Sequence, residues 1–271
     1  MVQLTHCRSI ATNVSAMSSG GLELLTYKIT QMTIEKTNEN IPTAHQLSDS
    51  ECYVQPFFTF YNADNMAIMK QYPDKYFDLA IVDPPYGIGR SGQTETFTKN
   101  PKHKRKHFTD KGWDYEKPTS EYWHELFRVS KNQIIWGANY FTDYLPASMG
   151  WIFWDKGQDL SMSDGELAYT SFDKALRRVI INRGQLMVEG GTIHPTQKPI
   201  KLYDWILSKY ANENDKIIDT HLGSGSIAIA IDKANTLDKK NLTFVGIELD
   251  TDYYRAAVER FKNHKRQCVL F

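Results

Sequence analysis

The sequence predicts an α/β fold with an open, largely parallel sheet and helices on both faces. Short runs rich in aromatic and β-branched residues, typical of buried strands, alternate with segments whose apolar residues recur at helical spacing. Near the end of the chain a strand, a glycine turn, a helix and a second strand follow one another, which is a parallel crossover unit. In such sheets ligands bind beyond the carboxyl ends of the strands.

Two strands and two helices are predicted before residue 131. Phe57–Tyr61 is a short aromatic run suited to a buried strand, and a helix is expected from Asp64 to about Tyr72. Phe77–Val82 is a second buried strand. A long loop follows, and Ser120–Ser130 is predicted to be a helix that begins at a serine.

The middle of the chain continues the alternation. Gln133–Trp136 and Trp151–Trp154 are predicted strands, and Glu166–Phe172 is expected to pair with Leu176–Asn182 as a hairpin. Pro199–Ala211 carries apolar residues at helical spacing, with proline at the favoured first position.

The last predicted elements form the crossover unit. Lys216–Asp219 is a strand, His221–Ser226 a turn, Ile227–Ala234 a helix and Leu242–Ile247 the next strand.

Composition limits the class of protein. Residues 1–52 are polar and lack sustained periodicity, so we expect a loosely ordered extension before one large domain at 53–271. The 32 basic and 32 acidic residues cancel, so a polyanion would need a local basic patch. Three scattered cysteines suggest neither a disulfide framework nor a metal site, and no apolar run is long enough to cross a membrane. A soluble cytoplasmic protein is expected.

The tetrapeptide Asp83-Pro84-Pro85-Tyr86 is the most specific short feature. The two prolines force the chain out of the preceding strand as a rigid loop. The Asp83 carboxylate and the Pro84 carbonyl can accept both hydrogens of an aromatic amine and so localise its lone pair, while Tyr86 offers a ring for stacking. The alternative is a plain strand-ending turn with Asp83 as its first residue.

A second cluster of polar residues is predicted around the glycine turn. Gly223 and Gly225 let the backbone turn tightly and approach a ligand, and Glu248 ends the next strand about 20 residues later, where a carboxylate reaches ribose hydroxyls. Asp219 adds a second acidic group. Acidic residues repel phosphates and suit a cation, so an adenosine ligand without phosphates fits best. Simple turn punctuation is the alternative.

Four motifs together resemble the amino-group DNA methyltransferases of the beta order. They are Asp83–Gly87, His194–Pro199, Asp219–Gly225 and Phe244–Glu248. The resemblance implies a circularly permuted Rossmann-like methyltransferase fold. It also implies methyl transfer from S-adenosylmethionine to the exocyclic amine of a flipped base. Aspartate at the first position of the loop favours adenine, within a specific sequence of double-stranded DNA.

The resemblance also assigns roles to individual residues. His221, two residues after Asp219, stands where the family commonly has a phenylalanine packed on the cofactor, and this departure bears on cofactor affinity. His194 is interpreted as a positioning residue. No metal is required. The residues implied in cofactor binding are Asp64, Lys198, Asp219, His221, Gly223, Ser224, Gly225 and Glu248.

Two basic clusters are candidates for DNA contact. A loop at about 90–115 follows the catalytic loop, and a region at about 156–192 lies where the family often carries target recognition. Ordinary solvated charges are the alternative for both. The loop contains Lys99, Lys102, Lys104, Arg105, Lys106 and Lys111, and the second region contains Lys174, Arg177, Arg178 and Arg183.

Other functions stay open at this stage. The same loop could serve a cytosine-N4 DNA methyltransferase or an RNA or protein amino methyltransferase. The basic clusters could also belong to a catalytically silent DNA-binding homologue. A homodimer and a cognate restriction nuclease are partners that the sequence leaves undecided.

Overall fold

The computed structural model describes residues 51–92, 107–157 and 163–268. Their strands are β1 Cys52–Gln55, β2 Phe58–Asn62, β3 Phe77–Val82, β4 Ser130–Trp136, β5 Trp151–Asp155, β6 Gly165–Thr170, β7 Arg177–Ile180, β8 Lys216–Asp219 and β9 Thr243–Glu248. Their helices are α1 Asn65–Met69, α2 Ser120–Val129, α3 Gln185–Val188, α4 Ile200–Tyr210, α5 Ser226–Leu237 and α6 Thr251–Cys268, with a 3₁₀ turn at Ala138–Tyr140.

The described strands form one sheet in the order β1-β2-β9-β8-β3-β4-β6-β5-β7. Neighbouring strands are parallel from β2 through β4 and again between β5 and β7, and antiparallel at β1-β2, β4-β6 and β6-β5. The predicted open and largely parallel sheet is therefore confirmed. Strand β3 lies at the centre of the sheet. The last four residues of β3 are fully buried, as expected for a strand covered on both faces.

Two hydrophobic cores cover the two faces of the sheet. Successive residues of β3 alternate between them, with Leu79 and Ile81 in the first and Ala80 and Val82 in the second. Helices α4, α5 and α6 contribute buried side chains to the first core, whereas α1 and α2 contribute to the second. Helices thus lie on both faces, as predicted.

One predicted pairing is wrong. Glu166–Phe172 and Leu176–Asn182 do not form a hairpin, because β5 lies between β6 and β7 and pairs with both. The Phe172 carbonyl accepts from the Lys174 amide at 2.8 Å, a tight turn that carries the chain across β5 to its far side. Short spacing between two strands predicts a hairpin only when no third strand competes for the edge.

Element boundaries differ from the prediction in several places. β1 starts at Cys52, inside the stretch predicted as an extension, and α1 ends at Met69 rather than near Tyr72. Helix α6 has no counterpart among the predicted elements. Residues 1–50 and the basic stretch 93–106 lie outside the described residues. No helix in the described ranges is long and apolar enough to cross a membrane.

Candidate active site

The predicted catalytic loop begins where β3 ends, at the centre of the sheet. Asp83 follows Val82 directly, and Pro84 and Pro85 carry the chain away from the strand. The Tyr86 hydroxyl donates a hydrogen bond of 2.6 Å to Asp83 Oδ1. The first and last side chains of the tetrapeptide are therefore tied to each other.

A buried lysine binds the other oxygen of Asp83. Lys198 Nζ donates to Asp83 Oδ2 and lies 3.3 Å from Oε2 of Glu166. Oε1 of Glu166 lies in turn 3.0 Å from Lys156 Nζ. Two carboxylates and two ammonium groups therefore alternate in what we name the charge chain, Asp83-Lys198-Glu166-Lys156.

Each lysine of the charge chain packs against a tryptophan ring. Lys198 Nζ lies 5.2 Å from the ring centroid of Trp136, and Lys156 Nζ lies 5.5 Å from that of Trp154. The Lys198 and Lys156 side chains are only 3% and 7% exposed. Such ammonium groups are kept charged by opposite charges rather than by water.

Burial and pairing shift the pKa values of Asp83, Glu166 and Lys198 in different directions. Burial raises the pKa of Asp83, and Lys198 opposes that shift without cancelling it. Burial also disfavours the charged form of Glu166, but its two lysine neighbours prevail and hold its pKa below the usual range. For Lys198, burial is outweighed by Asp83 and Glu166, which raise its pKa. Of the two carboxylates in the chain, Asp83 is thus the one that protonates more readily.

A buried aspartate from a separate loop fixes the backbone after Asp83. Asp114 is 2% exposed, and its Oδ1 accepts from the amides of Tyr86 at 2.6 Å and Gly87 at 3.1 Å. Its Oδ2 accepts from the amide of Arg90 at 2.7 Å. Three orphan donors of the catalytic loop are therefore satisfied by one carboxylate.

The ring of Tyr86 already has a stacking partner. Tyr140 lies parallel to it within 15°, with ring centroids 5.0 Å apart, and Phe141 meets it edge-on at 6.0 Å. Gly137 has a φ of +63°, and a Cβ there would lie 2.1 Å from the Tyr86 ring. Only glycine therefore allows this ring to sit against the turn that carries Tyr140.

A cavity of about 780 Å³ opens over the catalytic loop. All four members of the charge chain line it, together with the aromatic pair. Its volume falls in the range of pockets that hold a small molecule or a nucleoside. Other lining residues are Pro84, Pro85, Trp113, Asp114, Asn139, Arg183, Thr196 and Gln197.

The predicted cofactor residues lie at the same edge of the sheet. β9, β8 and β3 are adjacent and parallel, so their carboxyl ends bring Glu248, Asp219 and Asp83 together. Glu248 accepts from the Gly223 amide at 2.8 Å and from the Asp250 amide at 2.9 Å. These two bonds orient the carboxylate and leave each oxygen a further lone pair.

Asp219 is buried and His221 is half-buried, and burial disfavours the charged form of both side chains. Burial raises the pKa of Asp219 to about 8, although its Oδ1 accepts from the His221 amide at 3.0 Å. Burial lowers the pKa of His221 to about 3. Its ring nitrogens lie 3.2 Å from Asn65 Nδ2 and 2.9 Å from the Thr220 hydroxyl. The imidazole is thus held as a neutral, oriented ring.

Other predicted cofactor residues have structural partners. Asp64 caps α1, since its Oδ1 accepts from the amides of Met66 at 2.7 Å and Ala67 at 3.1 Å. Ser224 is buried between the two glycines, with its hydroxyl 3.0 Å from that of Ser226. Cofactor roles for both remain predictions. Lys198, expected near the cofactor's methionine end, bonds to the catalytic loop.

His194 packs between two aromatic rings. Trp113 stacks on it with centroids 5.2 Å apart, and Tyr253 meets it at 4.3 Å. Burial lowers its pKa to about 3. Lys111 Nζ lies 2.8 Å from Asp250 and 4.7 Å from the Tyr253 centroid. Lys111, counted in the basic loop, thus joins that loop to the residues after β9.

The predicted DNA-contacting residues are placed only in part. Lys99, Lys102, Lys104, Arg105 and Lys106 lie outside the described residues. Arg177 and Arg178 are exposed at the start of β7, and Arg178 pairs with Asp155. Arg183, three residues past the end of β7, lines the cavity.

Sequence reasoning missed Asp114, Lys156 and Glu166 as site residues. Lys156 directly follows the aromatic strand β5, and Glu166 is the second residue of β6. Charged residues beside such strands are a usable signal, but their meeting depends on β5 and β6 being antiparallel neighbours. In the described ranges, no group of three or more His, Cys, Asp or Glu side chains is placed to hold a metal ion.

Comparison with known proteins finds similarity to DNA methyltransferases. The model of a DNA methylase family, the N6/N4 methyltransferases, matches residues 154–259. A Type II methyltransferase of Lactococcus lactis subsp. cremoris, M2.LlaDCHI, is 23% identical over 73% of this chain and 87% of its own length. The Type II methyltransferase M.HpaI of Haemophilus parainfluenzae is 22% identical, over 71% and 70% respectively.

Solved structures give distant matches. The M1.HpyAVI-SAM complex aligns with a TM-score of 0.48 and 20% identity over 75% of this chain and 99% of its own. The cytosine-N4-specific PvuII DNA methyltransferase aligns with a TM-score of 0.48 and 12% identity over 78% and 90%. On its motifs, its family-model match and its relatives, the chain resembles the N6/N4 amino-group DNA methyltransferases.

Proposed function

We propose that this chain methylates the exocyclic amine of adenine within a specific sequence of double-stranded DNA, using S-adenosylmethionine as methyl donor. The observation that carries the proposal is the edge shared by three parallel strands. There Asp83, with Tyr86, lies beside the acidic and glycine residues of the predicted cofactor site. A base site and a cofactor site at one edge are what direct transfer between two ligands needs.

The residues at the ends of β8 and β9 fit S-adenosylmethionine. Glu248 is oriented by two backbone amides and can accept from ribose hydroxyls. Within the described residues, no ion pair neutralises the buried carboxyl group of Asp219, a setting that favours a cationic ligand. When bound, the cofactor supplies an electrophilic methyl group.

The catalytic loop prepares the amine. Asp83 and the Pro84 carbonyl accept its two hydrogens, which withdraws the nitrogen lone pair from the ring and directs it at the methyl group. Asp83 is also placed to accept the proton that the amine loses when it is methylated. Since the base is unreachable inside a duplex, it must be flipped into the cavity, where Tyr86 stacks on it.

Adenine is preferred to cytosine because the loop begins with Asp83. In the family that this chain resembles, aspartate at this position favours adenine. Cytosine-N4 transfer is the competing function. A cognate restriction nuclease, a homodimer and a cytoplasmic location are further expectations.

The first experiment tests the proposal in cells. DNA from a methylase-deficient host that expresses the wild-type chain should carry N6-methyladenine in one short sequence context, detected by modification-aware sequencing and nucleoside mass spectrometry. Asp83→Ala should lower kcat by about 10²- to 10³-fold or more. It should leave cofactor affinity in calorimetry within a few-fold of wild type, as should the control Asp74→Ala, which changes an exposed aspartate.

The alternatives predict different results. N4-methylcytosine in place of N6-methyladenine would replace adenine with cytosine as the substrate. DNA binding without cofactor binding would indicate a catalytically silent homologue. Cofactor binding without any modified base in DNA would contradict the proposal and point to an RNA or protein substrate.

A further inference from the structure

We propose that Glu166 and Lys156 are positioning residues for the base site, because they share Lys198 between two carboxylates and thereby set how strongly Asp83 accepts the amine's hydrogen. The inference rests on the proposed function and adds two residues to that site. Among the described residues, no hydrogen bond or ion pair joins either of them to the predicted tetrapeptide. Both act through Lys198.

The topology places these two residues at the catalytic edge. β5 runs parallel to β4 because β6, antiparallel to both, lies between them. The carboxyl end of β5 therefore lies at the same edge as the carboxyl end of β3, and so does the beginning of β6. Lys156 directly follows the carboxyl end of β5, and Glu166 is the second residue of β6.

Sharing of Lys198 changes the electrostatics of Asp83. If Lys198 were paired with Asp83 alone, the ammonium group would neutralise most of the carboxylate's charge in a site of low dielectric constant. Glu166 draws part of that positive charge to itself through the 3.3 Å contact. Asp83 keeps a stronger negative charge for the amine.

Lys156 limits how far Glu166 competes for Lys198. It contacts the other oxygen of Glu166 at 3.0 Å, so Glu166 is not dependent on Lys198 alone. Removal of Lys156 would give Glu166 a larger share of Lys198. The two residues therefore push the titration of Asp83 in opposite directions.

Other titratable groups face Asp83 and stay unchanged in the test. Tyr86 lies on its own loop, Tyr203 on α4 and Asp219 at the end of β8. Glu166 raises the pKa of Asp83, whereas Lys198 lowers it. Replacement of Glu166 or Lys156 should therefore shift the pKa of Asp83 in a direction that can be stated in advance.

The experiment compares Glu166→Gln, Lys156→Gln and the double variant in the full chain. Single-turnover transfer to DNA is measured against pH with saturating S-adenosylmethionine. We expect the acid limb of the rate profile to move down by about one pH unit in Glu166→Gln and up by a similar amount in Lys156→Gln, one unit being a tenfold change in the protonation constant. The double variant, which restores local neutrality, should lie between the two.

Matched controls remove charges elsewhere. Lys131→Gln and Glu259→Gln change residues of two surface ion pairs and should leave the profile unmoved. A single direction of movement in both charge-chain variants, or a loss of rate without movement of the acid limb, would overturn the inference. Either result would assign Glu166 and Lys156 a purely structural role.

A second readout separates this inference from the proposed function. Titration of Asp83 in carbon-13 aspartate-labelled protein, followed by NMR, needs no methyl transfer. Opposite shifts of that titration in the two variants, in a chain that never methylates DNA, would support the charge chain while contradicting the proposed function. Shifts in the same direction in both variants, in an enzyme that methylates DNA, would contradict the charge chain while supporting the proposed function. If one single variant fails to fold, the other and the double variant still give the sign.

Discussion

Asp114 is the residue on which the shape of the catalytic loop depends most. Its carboxylate accepts from three loop amides, and removal of it would leave those donors without partners at a partly buried site. We expect Asp114→Ala to lower kcat by about tenfold or more through displacement of Tyr86. The free energy of unfolding should fall by about 1–3 kcal/mol.

The control for Asp114 is Glu116→Gln, an exposed acidic residue two positions later. Stopped-flow transfer assays and urea denaturation measure the two effects, and calorimetry should show nearly unchanged affinity for S-adenosylmethionine. An Asp114→Ala enzyme with wild-type kcat would show that the bound base, rather than Asp114, orders the loop.

Residues differ in how far the sequence could predict them. Asp83 and Tyr86 were predictable because two adjacent prolines dictate a loop wherever they follow a buried strand. Asp114 was not, because it lies 28 positions from Tyr86 and only the fold of the intervening loop brings the two together. Such a contact leaves no spacing pattern in the chain.

At the scale of elements, the outer half of the sheet was the least predictable part. Central strands such as β3 are mostly apolar runs, and β3 was predicted to the residue. β7 is short and exposed at three of its four positions, so its partner is chosen by competition between edges. The sequence predicted a hairpin with β6, whereas β7 pairs in parallel with β5.

The direction of β7 determines which of its arginines can meet DNA. Because β7 runs parallel to β5, Arg183 beyond its carboxyl end lines the cavity, while Arg177 at its start lies toward the opposite edge. We expect Arg183→Ala to weaken DNA binding and to reduce the slope of log K against log salt by about 0.9 for one lost phosphate contact. Arg177→Ala, which removes the same charge from the start of β7, should change the slope less.

Fluorescence anisotropy with a duplex that carries the recognised sequence, measured from low to moderate salt, tests this ranking. Lys131→Ala removes one positive charge at the amino end of β4 and serves as the distant control. A larger loss for Arg177→Ala than for Arg183→Ala would place the DNA along the outer face of the sheet instead of over the cavity.

Across the whole molecule, both halves of the site depend on the middle of the sheet. β3 comes from the first half of the described chain, and β8 and β9 come from its last quarter, yet the three are neighbours. The permuted order was expected from the succession of motifs. The charge chain was not, since it also requires the outer strands β5 and β6 to reach the same edge.

The buried acid at this junction links site and stability. The pKa of Asp219 is about 8 in the folded chain, against an ordinary value of 3.8. A raised pKa contributes stability that is fully present below about pH 3.8 and is lost as the pH rises toward 8, since the folded state binds the extra proton in that window. Asp219→Asn keeps an oxygen acceptor for the His221 amide but cannot titrate.

We therefore expect the free energy of unfolding of the wild type to fall relative to that of Asp219→Asn, by up to about 1.4 kcal/mol per pH unit between pH 5.5 and 7.5. Urea denaturation without cofactor at several pH values measures this difference. The pKa values of His194 and His221 are lowered to about 3, which causes a loss of stability below about pH 6.5. This loss occurs in both proteins and therefore cancels in the comparison. A difference that is constant with pH would show that Asp219 is ionised in the folded chain. The glycine turn would then hold a carboxylate before any cation arrives.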